Sequence, residues 1–559
     1  MYILGIKAFG HDTSACLIKD RKIIAASSQE RFDRIKHSSA FPFDAINFCL
    51  DTASIKINNI SEIGVSYNYT EAILRLYFLR ALLYFPLSLF NLKDFNKILT
   101  TRSKILKILQ INLKFKGKIS FLDHHDCHAA SAYYCSSFSK SAIITNDGRG
   151  EWATARIYIA ENGKFQKYDQ INYPNSIGLV YENITNYLGF IRNCDEGKIM
   201  GLAPYGKPIY YKKFSKIINI VNKWKYKLDL SYFNHHLKEQ SMLPDKFIKE
   251  FGKPRSKNQK LTTRHKDIAS SLQKITDDVC LLAADKAKDI RKDKYLCIAG
   301  GVGLNAVSNG AIYNKKLFKS IFIQPASGDD GTSLGAATLI ASRYFKNYKI
   351  NDFSPYLGKN VEKDKLITII NKNKGRINVS KPINIFKSAS VDLSRRKIVA
   401  WYQGRAEFGP RALGNRSILA DPRDPKMKDY LNKKVKFREE FRPFAPAVLY
   451  KYSRSFFKLY SQIPYMIITV DVEKKNVNKI PAVVHVDNTA RVQTVTEKNN
   501  KKFYNLIMEF YKLTSVPILL NTSFNIKGEP IVNSVEQALN CFLKTGIDIM
   551  YINEFRFEK

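Results

Sequence analysis

The chain has 559 residues, 45% of them hydrophobic, which is enough for two or more domains with large cores. Its 8 cysteines form no C-x-x-C pair, which disfavours a zinc ribbon or a disulfide framework and predicts reduced thiols in the cytoplasm. The formal net charge is +40, but the lysines are spread along the whole chain and match no nucleic-acid-binding module. The pattern favours a solvated basic surface that attracts ATP and other phosphate-bearing molecules, and it argues against a specific nucleic-acid partner.

The N-terminal region predicts three short strands. Tyr2–Ile6 is a β run that ends in the polar turn GHDTSA, which contains His11. Cys16–Ile18 and Lys22–Ala26 follow as two further strand runs. The start shows no basic segment followed by a long apolar core, so no signal peptide is expected.

The most apolar stretch, Ala72–Leu92, is interrupted by two arginines and a proline. The uncharged run between them is too short to cross a bilayer, so we expect no transmembrane segment. A buried or interfacial helix pair is the first interpretation, and peripheral contact with a membrane surface is the second. Residues 72–116 carry no pattern that assigns chemistry to them, and neither does the Lys-rich stretch 207–260, which predicts a helical insertion.

The stretch Asp123–Glu151 is the most informative part of the chain. Its Ala- and Ser-rich run favours a helix, on which His124 and His128 share one face because they lie four residues apart. A strand, Ala142–Thr145, then leads to Asp147 and a glycine-rich turn, whose backbone N–H groups can approach a phosphate. Two imidazoles and a carboxylate at a strand end suit a divalent transition metal. The alternative is a helix face that packs on the sheet and binds no metal.

A second hairpin repeats the N-terminal pattern. Strands Arg156–Ala160 and Lys164–Tyr168 are joined by an Asn-Gly turn. Two similar halves facing one cleft are therefore predicted, as in actin-like, ribonuclease-H-like ATP-binding folds. The following region, 173–206, predicts a mostly irregular chain, in which Lys198 between glycines suits either a phosphate contact or an ordinary surface loop.

A long helix is predicted from Ile268 to Asp293, followed by the strand Tyr295–Ile298 and a glycine turn. A strand, a glycine turn and a helix start form the usual site for a phosphate or an adenosine. The spacing is not G-x-G-x-x-G, which disfavours a nicotinamide cofactor. A further strand, Ser320–Gln324, leads to the turn SGDDG, where an aspartate could supply a fourth metal ligand or cap a helix.

Residues 346–390 are polar and predict a linker between a first domain, 1–345, and a second domain, 391–559. The strand Ile398–Tyr402 leads into a glycine-rich turn with three arginines, a plausible anion cradle because guanidinium binds phosphate bidentately. Further polar side chains follow in loops and at strand ends, where each could form a surface salt bridge and all together indicate a site for a phosphorylated small molecule. The side chains of these two groups are Arg405, Arg411, Arg416, Lys436, Arg438, Arg442, Arg491, Asn521, Ser523 and Asn525.

Ten motifs in one order resemble a known family. They are GHDTSA, HHDCHAASAYY, NDGRGE, EGKIMGLAPYG, AGGVGLN, PASGDDG, QGRAEFGPRALGNRSILADPR, FRPFAP, HVDNTARVQTV and NTSFNIKGEP. The chain resembles the O-carbamoyltransferases that act on nodulation factors and on antibiotics such as cephamycins and aminoglycosides. The resemblance implies an α/β protein with an N-terminal actin-like domain, similar to tRNA threonylcarbamoyl-transfer enzymes, and a C-terminal YrdC-like domain.

The same resemblance implies the activity. The C-terminal domain would form carbamoyl-adenylate from carbamoyl phosphate and ATP with Mg²⁺, and the N-terminal domain would transfer the carbamoyl group to a hydroxyl. His11 would lie beside the reacting carbonyl as a base or hydrogen-bond donor. The implied ligands of a divalent metal, iron as Fe²⁺, are His124, His128, Asp147 and Asp329. The implied nucleotide contacts are Gly148, Lys198, Gly300, Gly301 and Asn305. The implied contacts of carbamoyl phosphate and adenylate are Arg411, Lys436, Arg438, Arg491, Asn521, Ser523 and Asn525.

Two other functions are compatible with parts of the pattern. A sugar kinase or ATPase on the same actin-like core would release ADP where the carbamoyltransferase releases AMP. A non-enzymatic polyanion-binding protein would bind nucleic acid without its paired histidines. The sequence leaves the acceptor open among a sugar, a glycolipid and a natural-product alcohol, and it does not indicate the oligomeric state.

Overall fold

The computed structural model describes residues 1–72, 92–237, 243–292, 294–373, 375 and 377–559. The predicted apolar helix pair, 72–92, lies almost entirely outside these residues. Within the described ranges, no helix is long and apolar enough to cross a membrane. The chain forms two compact units: the N-terminal unit comprises residues 1–29 and 39–353, and the C-terminal unit comprises residues 30–38 and 354–559.

The N-terminal unit contains two five-stranded sheets and a small hairpin. The first sheet consists of β1 Tyr2–Lys7, β2 Ser14–Lys19, β3 Lys22–Ser28, β4 Ile60–Val65 and β5 Lys118–Phe121. The second sheet and the hairpin consist of β6 Lys140–Asn146, β7 Ala153–Glu161, β8 Lys164–Asn172, β9 Ile218–Asn222, β10 Lys225–Leu228, β11 Tyr295–Ala299 and β12 Ser320–Ile323.

The two sheets have the same topology. Their strand orders are β3-β2-β1-β4-β5 and β8-β7-β6-β11-β12. In each sheet the first three strands are antiparallel, and the last two run parallel to the central strand. This duplicated ribonuclease-H-like arrangement is the actin-like fold, so the fold class predicted for this part of the chain is confirmed.

The helices of the N-terminal unit correct two sequence interpretations. The region 173–206, predicted to be irregular, contains two helices, the first of which begins where the Ser176 hydroxyl accepts a hydrogen bond from the Leu179 N–H at 3.0 Å. The stretch 207–260, predicted to be helical, contains the β9–β10 hairpin, because a β-branched run precedes a turn at Lys223 with φ 39°. The helices are Phe43–Ala53, Tyr69–Ala72, Leu92–Lys107, His124–Tyr133, Ile177–Tyr187, Glu196–Leu202, Tyr211–Ile217, Asp245–Phe251, Thr263–Arg291, Ala306–Asn314 and Gly331–Tyr344.

One helix contact determines where the polar turns of this unit meet. Gly335 lies in the helix Gly331–Tyr344, and a Cβ atom at this position would come within 1.8 Å of the Cys127 carbonyl oxygen. The absence of a side chain therefore lets this helix approach the helix His124–Tyr133 closely. The turn before Gly331 is thereby brought to the histidine-bearing helix.

The C-terminal unit is built on one mixed sheet of eight strands in the order β13-β22-β21-β14-β15-β20-β16-β19. Trp401 and Tyr551, on neighbouring strands of this sheet, are fully buried. The resemblance of this unit to YrdC-like proteins stays a prediction. Its strands are β13 Asn378–Ser380, β14 Val399–Tyr402, β15 Arg416–Ala420, β16 Ala445–Leu449, β17 Thr469–Asp471, β18 Thr489–Arg491, β19 Gln493–Val495, β20 Ile518–Ser523, β21 Ile549–Ile552 and β22 Phe555–Glu558. Its α-helices are Glu30–Asp33, Lys363–Lys372, Ile385–Ser394, Met427–Tyr430, Tyr450–Phe456, Lys501–Thr514 and Val535–Lys544.

A linker was predicted for the segment 346–390, but its described residues from Ser354 onwards belong to the C-terminal unit. It contains the helix Lys363–Lys372, the start of a second helix, and β13, which pairs with β22. A short N-terminal segment, 30–38, also belongs to the C-terminal unit, and no sequence pattern indicated this. Arg31 and Arg34 donate hydrogen bonds to backbone carbonyls of the C-terminal unit, and these bonds tie the segment to it.

Candidate functional site

The four predicted metal ligands converge in the N-terminal unit. The Nε2 atoms of His124 and His128 lie 3.0 Å and 3.1 Å from Oδ2 of Asp147, and 3.1 Å from each other. They lie 3.4 Å and 3.8 Å from Oδ1 of Asp329. All four side chains are buried, and one ligand atom from each lies within 4.8 Å of the others. Two imidazole nitrogens and two carboxylate oxygens form a donor set that suits a divalent transition metal.

The glycines predicted to bind the nucleotide surround Asp147. The N–H groups of Gly148 and Gly301 donate to Oδ1 of Asp147 at 2.8 Å and 3.1 Å, which leaves Oδ2 directed at the histidines. Gly300 has φ +96°, and a Cβ atom there would lie 2.3 Å from the Asn146 carbonyl oxygen. Glycine is therefore required at this turn by the close approach of the two strand ends.

The electrostatics of this cluster favour a cation between the carboxylates. Burial alone would raise the pKa of Asp147, but hydrogen bonds from both histidines hold it well below its usual value. For His124 the effects are reversed: burial would lower its pKa, but Asp329 and Asp147 raise the pKa to about 10. Positive charge at the histidine nitrogens is thus strongly stabilised, whether carried by a proton or by a metal ion.

The sequence analysis missed the groups that fix the histidine-bearing helix. The Glu151 carboxylate is buried and accepts from the His124 N–H at 3.1 Å. The Asp123 side chain caps the same helix end and forms an ion pair with Arg156 at 2.6 Å. A capping residue followed by an acidic residue three positions later, as in Asp123 and Asp126, is a sequence signal that could have indicated this helix start.

Two further side chains flank the cluster. The Lys7 ammonium lies 2.8 Å from Oδ2 of Asp329, and both side chains are buried. Lys7 was also missed, although a lysine that ends an otherwise apolar strand was visible in the sequence. His11 lies with Nε2 3.9 Å from Oδ2 of Asp329 and with Nδ1 3.0 Å from Asp12. The His11 side chain is half exposed, and its partial desolvation would lower its pKa, but Asp329 and Asp12 raise the pKa to about 9.

The other two predicted nucleotide contacts make local contacts in this structure. The Lys198 ammonium lies 2.8 Å from Asp195, and it stands on a helix where a loop was predicted. Asn305 caps the helix Ala306–Asn314, since its Oδ1 accepts from the N–H groups of Val307 and Ser308. Asn305 thus supports the turn structurally, and its role towards a nucleotide stays a prediction.

The C-terminal unit contains a cluster of four arginines. Burial lowers the pKa of Arg411 to about 10 and holds that of Arg438 and Arg491 well below the usual value, and Arg442 lowers all three further. Among the described residues, the buried Nε atoms of Arg411 and Arg491 have no hydrogen-bond partner. Guanidinium groups that repel one another, two of them with an unpaired Nε donor, have the chemistry to bind an anion.

The remaining predicted residues of this unit are linked by hydrogen bonds. The buried Lys436 ammonium donates to the Ser523 carbonyl at 2.8 Å and to Oδ1 of Asn525 at 2.6 Å. Burial and the nearby Arg438 hold the pKa of Lys436 well below its usual value. Asn521 donates to the Ala412 carbonyl at 3.2 Å, one residue from Arg411.

Two of the three arginines in the predicted cradle have a different role. The buried guanidinium of Arg416 donates to the carbonyls of Gln403, Asn415, Lys359 and Gly404. Arg405 donates to the carbonyls of Leu357 and Gly358. The interpretation of all three as an anion cradle was therefore wrong for Arg405 and Arg416, whose donors hold backbone segments together. Arg411 alone of the three belongs to the cluster.

The buried Glu407 was missed by the sequence analysis. Its Oε1 accepts from the N–H groups of Leu413, Asn415 and Arg416 at 2.7 Å, 2.8 Å and 3.2 Å. These three hydrogen bonds gather the turn that presents Arg411. In the sequence, a carboxylate inside an Arg-rich turn could equally form a surface ion pair. The role of Glu407 therefore became visible only in the structure.

Comparison with known proteins identifies the family. Residues 2–338 match the model of the carbamoyltransferase N-terminus, and residues 390–559 match that of the carbamoyltransferase C-terminus. The uncharacterized protein sll1178 of Synechocystis is 36% identical, over 100% of this chain and 97% of that protein. The nodulation protein NolNO of Sinorhizobium fredii is 34% identical over 99% of this chain and 79% of that protein. The nodulation protein NolO of Bradyrhizobium diazoefficiens is 35% identical over 78% of this chain and 79% of that protein. The resemblance seen in the motifs is confirmed, and the chain belongs to the carbamoyltransferase family of enzymes.

Proposed function

We propose that this carbamoyltransferase is ATP-dependent and acts on hydroxyl groups. The C-terminal unit forms carbamoyl-adenylate from carbamoyl phosphate and ATP, and the N-terminal unit transfers the carbamoyl group to a hydroxyl of a sugar, a glycolipid or a natural product. The observation that carries the proposal is the convergence of His124, His128, Asp147 and Asp329 in one unit, with a separate arginine cluster in the other.

The chemistry explains why two sites are useful. Carbamoyl phosphate is a weak electrophile because its nitrogen donates electrons into the carbonyl. Loss of phosphate to water gives carbamate, whose oxygen attacks the α-phosphorus of ATP and displaces pyrophosphate. The resulting carbamoyl-adenylate is attacked at its carbonyl carbon by the acceptor hydroxyl, and AMP leaves with the bonding electrons.

In the first step the arginine cluster binds and orients the substrates. Arg411, Arg438 and Arg491 offer guanidinium groups to the phosphates of carbamoyl phosphate and ATP-Mg²⁺. A bound anion would offset the mutual repulsion that lowers the pKa of these side chains. Lys436 holds the backbone of Ser523 and Asn525 in place, and these residues border the same substrates.

In the second step the N-terminal unit binds and orients the adenylate and the acceptor. A divalent metal, Fe²⁺ by family resemblance, would be held by the two histidines and two aspartates and would supply Lewis-acid stabilisation of negative charge. The glycine turns at Gly148 and Gly301 contact the adenylate phosphate in this scheme, as the family resemblance implies. His11, beside Asp329, donates a hydrogen bond from Nε2 when protonated, the form that its raised pKa favours, and takes the proton of the acceptor hydroxyl when neutral.

The test separates the two steps. Purified protein is supplied with radiolabelled carbamoyl phosphate, ATP-Mg²⁺ and a panel of hydroxylated acceptors, and products are followed by chromatography and mass spectrometry. We expect AMP and a product heavier by one carbamoyl group. ADP as the nucleotide product would favour the kinase or ATPase alternative, and failure to form carbamoyl-adenylate with any divalent metal would exclude the proposal.

Two variants test the division of labour. Arg411→Ala is expected to abolish carbamoyl-adenylate formation and to spare transfer from supplied carbamoyl-adenylate. His128→Ala is expected to spare the first step and abolish the second. The exposed Arg396 and the buried His125, which hydrogen-bonds Thr145 and Ala153, provide the matched controls Arg396→Ala and His125→Gln. Equal loss of both steps in both variants would contradict the scheme.

A further inference from the structure

The two carboxylates at the candidate metal centre are arranged alike, and they differ in the kind of donor that holds the outer oxygen. Each presents one oxygen to the histidines and has its other oxygen held by a donor outside the cluster. For Asp147 the held oxygen is Oδ1, and the donors are the backbone N–H groups of Gly148 and Gly301. For Asp329 the held oxygen is Oδ2, and the donor is the Lys7 ammonium at 2.8 Å.

Among the described residues, Asp329 is the carboxylate that pairs with the buried Lys7 ammonium. It ends β1, whose residues Ile3, Leu4 and Ile6 are fully buried, and a lysine is among the least favoured residues in such a place. Its side chain is only 9% exposed, and its ammonium lies 5.9 Å from the centre of the Tyr67 ring. Burying this charge costs stability unless it is paired, and the charge opposite it is Asp329.

We infer that Lys7 is a positioning residue that holds Asp329 as a single-oxygen ligand of the metal ion. With Oδ2 bonded to Lys7, only Oδ1 faces the Nε2 atoms of His124 and His128, at 3.4 Å and 3.8 Å. Outer hydrogen bonds of this kind orient metal ligands and restrict their rotation. The inference rests on the metal centre of the proposed function, and it assigns to Lys7 a role that is independent of the acceptor.

Simple electrostatics and a positioning role predict opposite effects of removing Lys7 on the affinity for a metal ion. Removing a positive charge beside the centre would by itself strengthen the binding of a cation. If Lys7 acts by positioning, its loss weakens binding instead and lets Asp329 rotate, which changes the coordination. Outer partners of metal ligands typically contribute about 10–100-fold to metal affinity.

The experiment uses Co²⁺ as a spectroscopic probe of the full-length protein after chelation. Visible absorption reports the coordination of the ion, and titration gives its affinity. We expect Lys7→Met to bind Co²⁺ about 10–100-fold more weakly with an altered spectrum. Lys7→Gln, which keeps an N–H donor, is expected to keep the wild-type spectrum. Lys19→Met, at the exposed end of β2, is the control and should match the wild type.

A double variant keeps the test decisive if Lys7→Met does not fold. Asp329→Asn is compared with Asp329→Asn/Lys7→Met, in which no unpaired charge is buried. Because Lys7 acts through Asp329, the second substitution should have little further effect on the Co²⁺ affinity. Wild-type affinity and spectrum in Lys7→Met, tighter binding, or an equal loss in the Asp329→Asn background would each overturn the inference.

The outcomes also separate this inference from the proposed function. If Co²⁺ binding requires His128 but is unaffected by Lys7→Met, the metal centre stands and the role of Lys7 is refuted. If wild-type protein binds no Co²⁺, or if His128→Ala binds it equally well, the metal centre falls and the inference falls with it.

Discussion

Identical side chains in this protein take different roles according to the groups packed around them. Arg411 and Arg416 lie in the same turn, and the Nε of each has no partner in the described part of the chain, yet the terminal nitrogens of Arg416 donate to four backbone carbonyls. His124 and His125 are adjacent, yet carboxylates raise the pKa of His124 to about 10, whereas burial lowers that of His125 to about 3. Residue type alone therefore predicts which side chains could bind a ligand, and the groups packed around each side chain determine which of them are available to do so.

The candidate metal centre is testable at one residue. His128→Ala removes one of four converging ligands, so retention of a divalent metal should fall by more than the roughly 10–100-fold expected for an outer partner. Metal content after dialysis is measured by mass spectrometry on protein prepared without chelators, and iron is the metal expected in the wild type. His125→Gln alters a buried histidine of the same helix that faces Thr145, and it should retain the metal. Equal metal content in the two variants would contradict the ligand assignment.

At the scale of elements, polar turns at strand ends carry both candidate sites. β6 ends at Asn146, immediately before Asp147, and β11 ends before Gly300. In the C-terminal unit, β14 and β15 flank the turn that presents Arg411. The strands are held by their buried side chains, so the sheets fix where the turns lie, while Gly300 and Glu407 fix the local shape of the turns that contain them.

Two substitutions in the turn between β14 and β15 are expected to have different effects on the unfolding free energy. Arg416→Ala removes a buried guanidinium that donates to four backbone carbonyls, of which those of Asn415 and Lys359 keep a backbone N–H donor, so the unfolding free energy should fall by about 3 kcal/mol or more. Arg411→Ala relieves repulsion with Arg442 and should leave stability unchanged within about 0.5 kcal/mol, or raise it. Urea unfolding with hydrogen exchange across residues 399–420 measures both. A larger loss in Arg411→Ala than in Arg416→Ala would reverse the assigned roles.

The long helix Thr263–Arg291 predicts a pH dependence through Asp277. Burial raises the pKa of Asp277 to about 6, although Ser308 and Gln273 donate hydrogen bonds to it. The pKa of an aspartate in an unfolded chain is about 3.9. Between about pH 4 and pH 6 the folded chain therefore binds more protons than the unfolded chain. The contribution to stability is therefore present at low pH and is lost as the pH rises through about 6.

Asp277→Asn removes this titration. The difference in unfolding free energy between the variant and the wild type should become more favourable to the variant as the pH rises from about 4.5 to 7. Chemical denaturation at four pH values measures the difference. Asp51→Asn, on the exposed side of the helix Phe43–Ala53, is the control. A variant whose pH profile parallels the wild type would show that Asp277 does not titrate in this range.

At the scale of the whole molecule, the two units are not two simple halves of the sequence. The segment 30–38 belongs to the C-terminal unit although the chain on both sides of it belongs to the N-terminal unit. The buried guanidinium of Arg31 donates to the Gly409 carbonyl at 2.7 Å, and Arg34 donates to the carbonyls of Pro530 and Ile531 at 2.7 Å and 2.8 Å. The folding of the C-terminal unit therefore depends on residues far from it in sequence.

Arg31→Gln in the full chain tests this dependence. Loss of a buried, charge-assisted hydrogen bond should cost about 1–3 kcal/mol. The cost should appear as faster hydrogen exchange in residues 354–559, with residues 39–353 unaffected. The exposed Lys36→Gln, in the same segment, should change neither region. Faster exchange confined to residues 39–353 would show that the segment stabilises the other unit.

The sequence by itself determined the strand–turn–helix order, the duplicated halves, the family and the candidate metal ligands. These features depend on the spacing of residues within short segments and on the order of the motifs, both of which can be read from the sequence. Only the tertiary structure decided that Lys7 pairs with Asp329, that Arg405 and Arg416 hold backbone together, and that residues 30–38 join the C-terminal unit. Each of these contacts joins residues distant along the chain, and whether a charged group binds a ligand or a neighbour depends on what packing brings beside it.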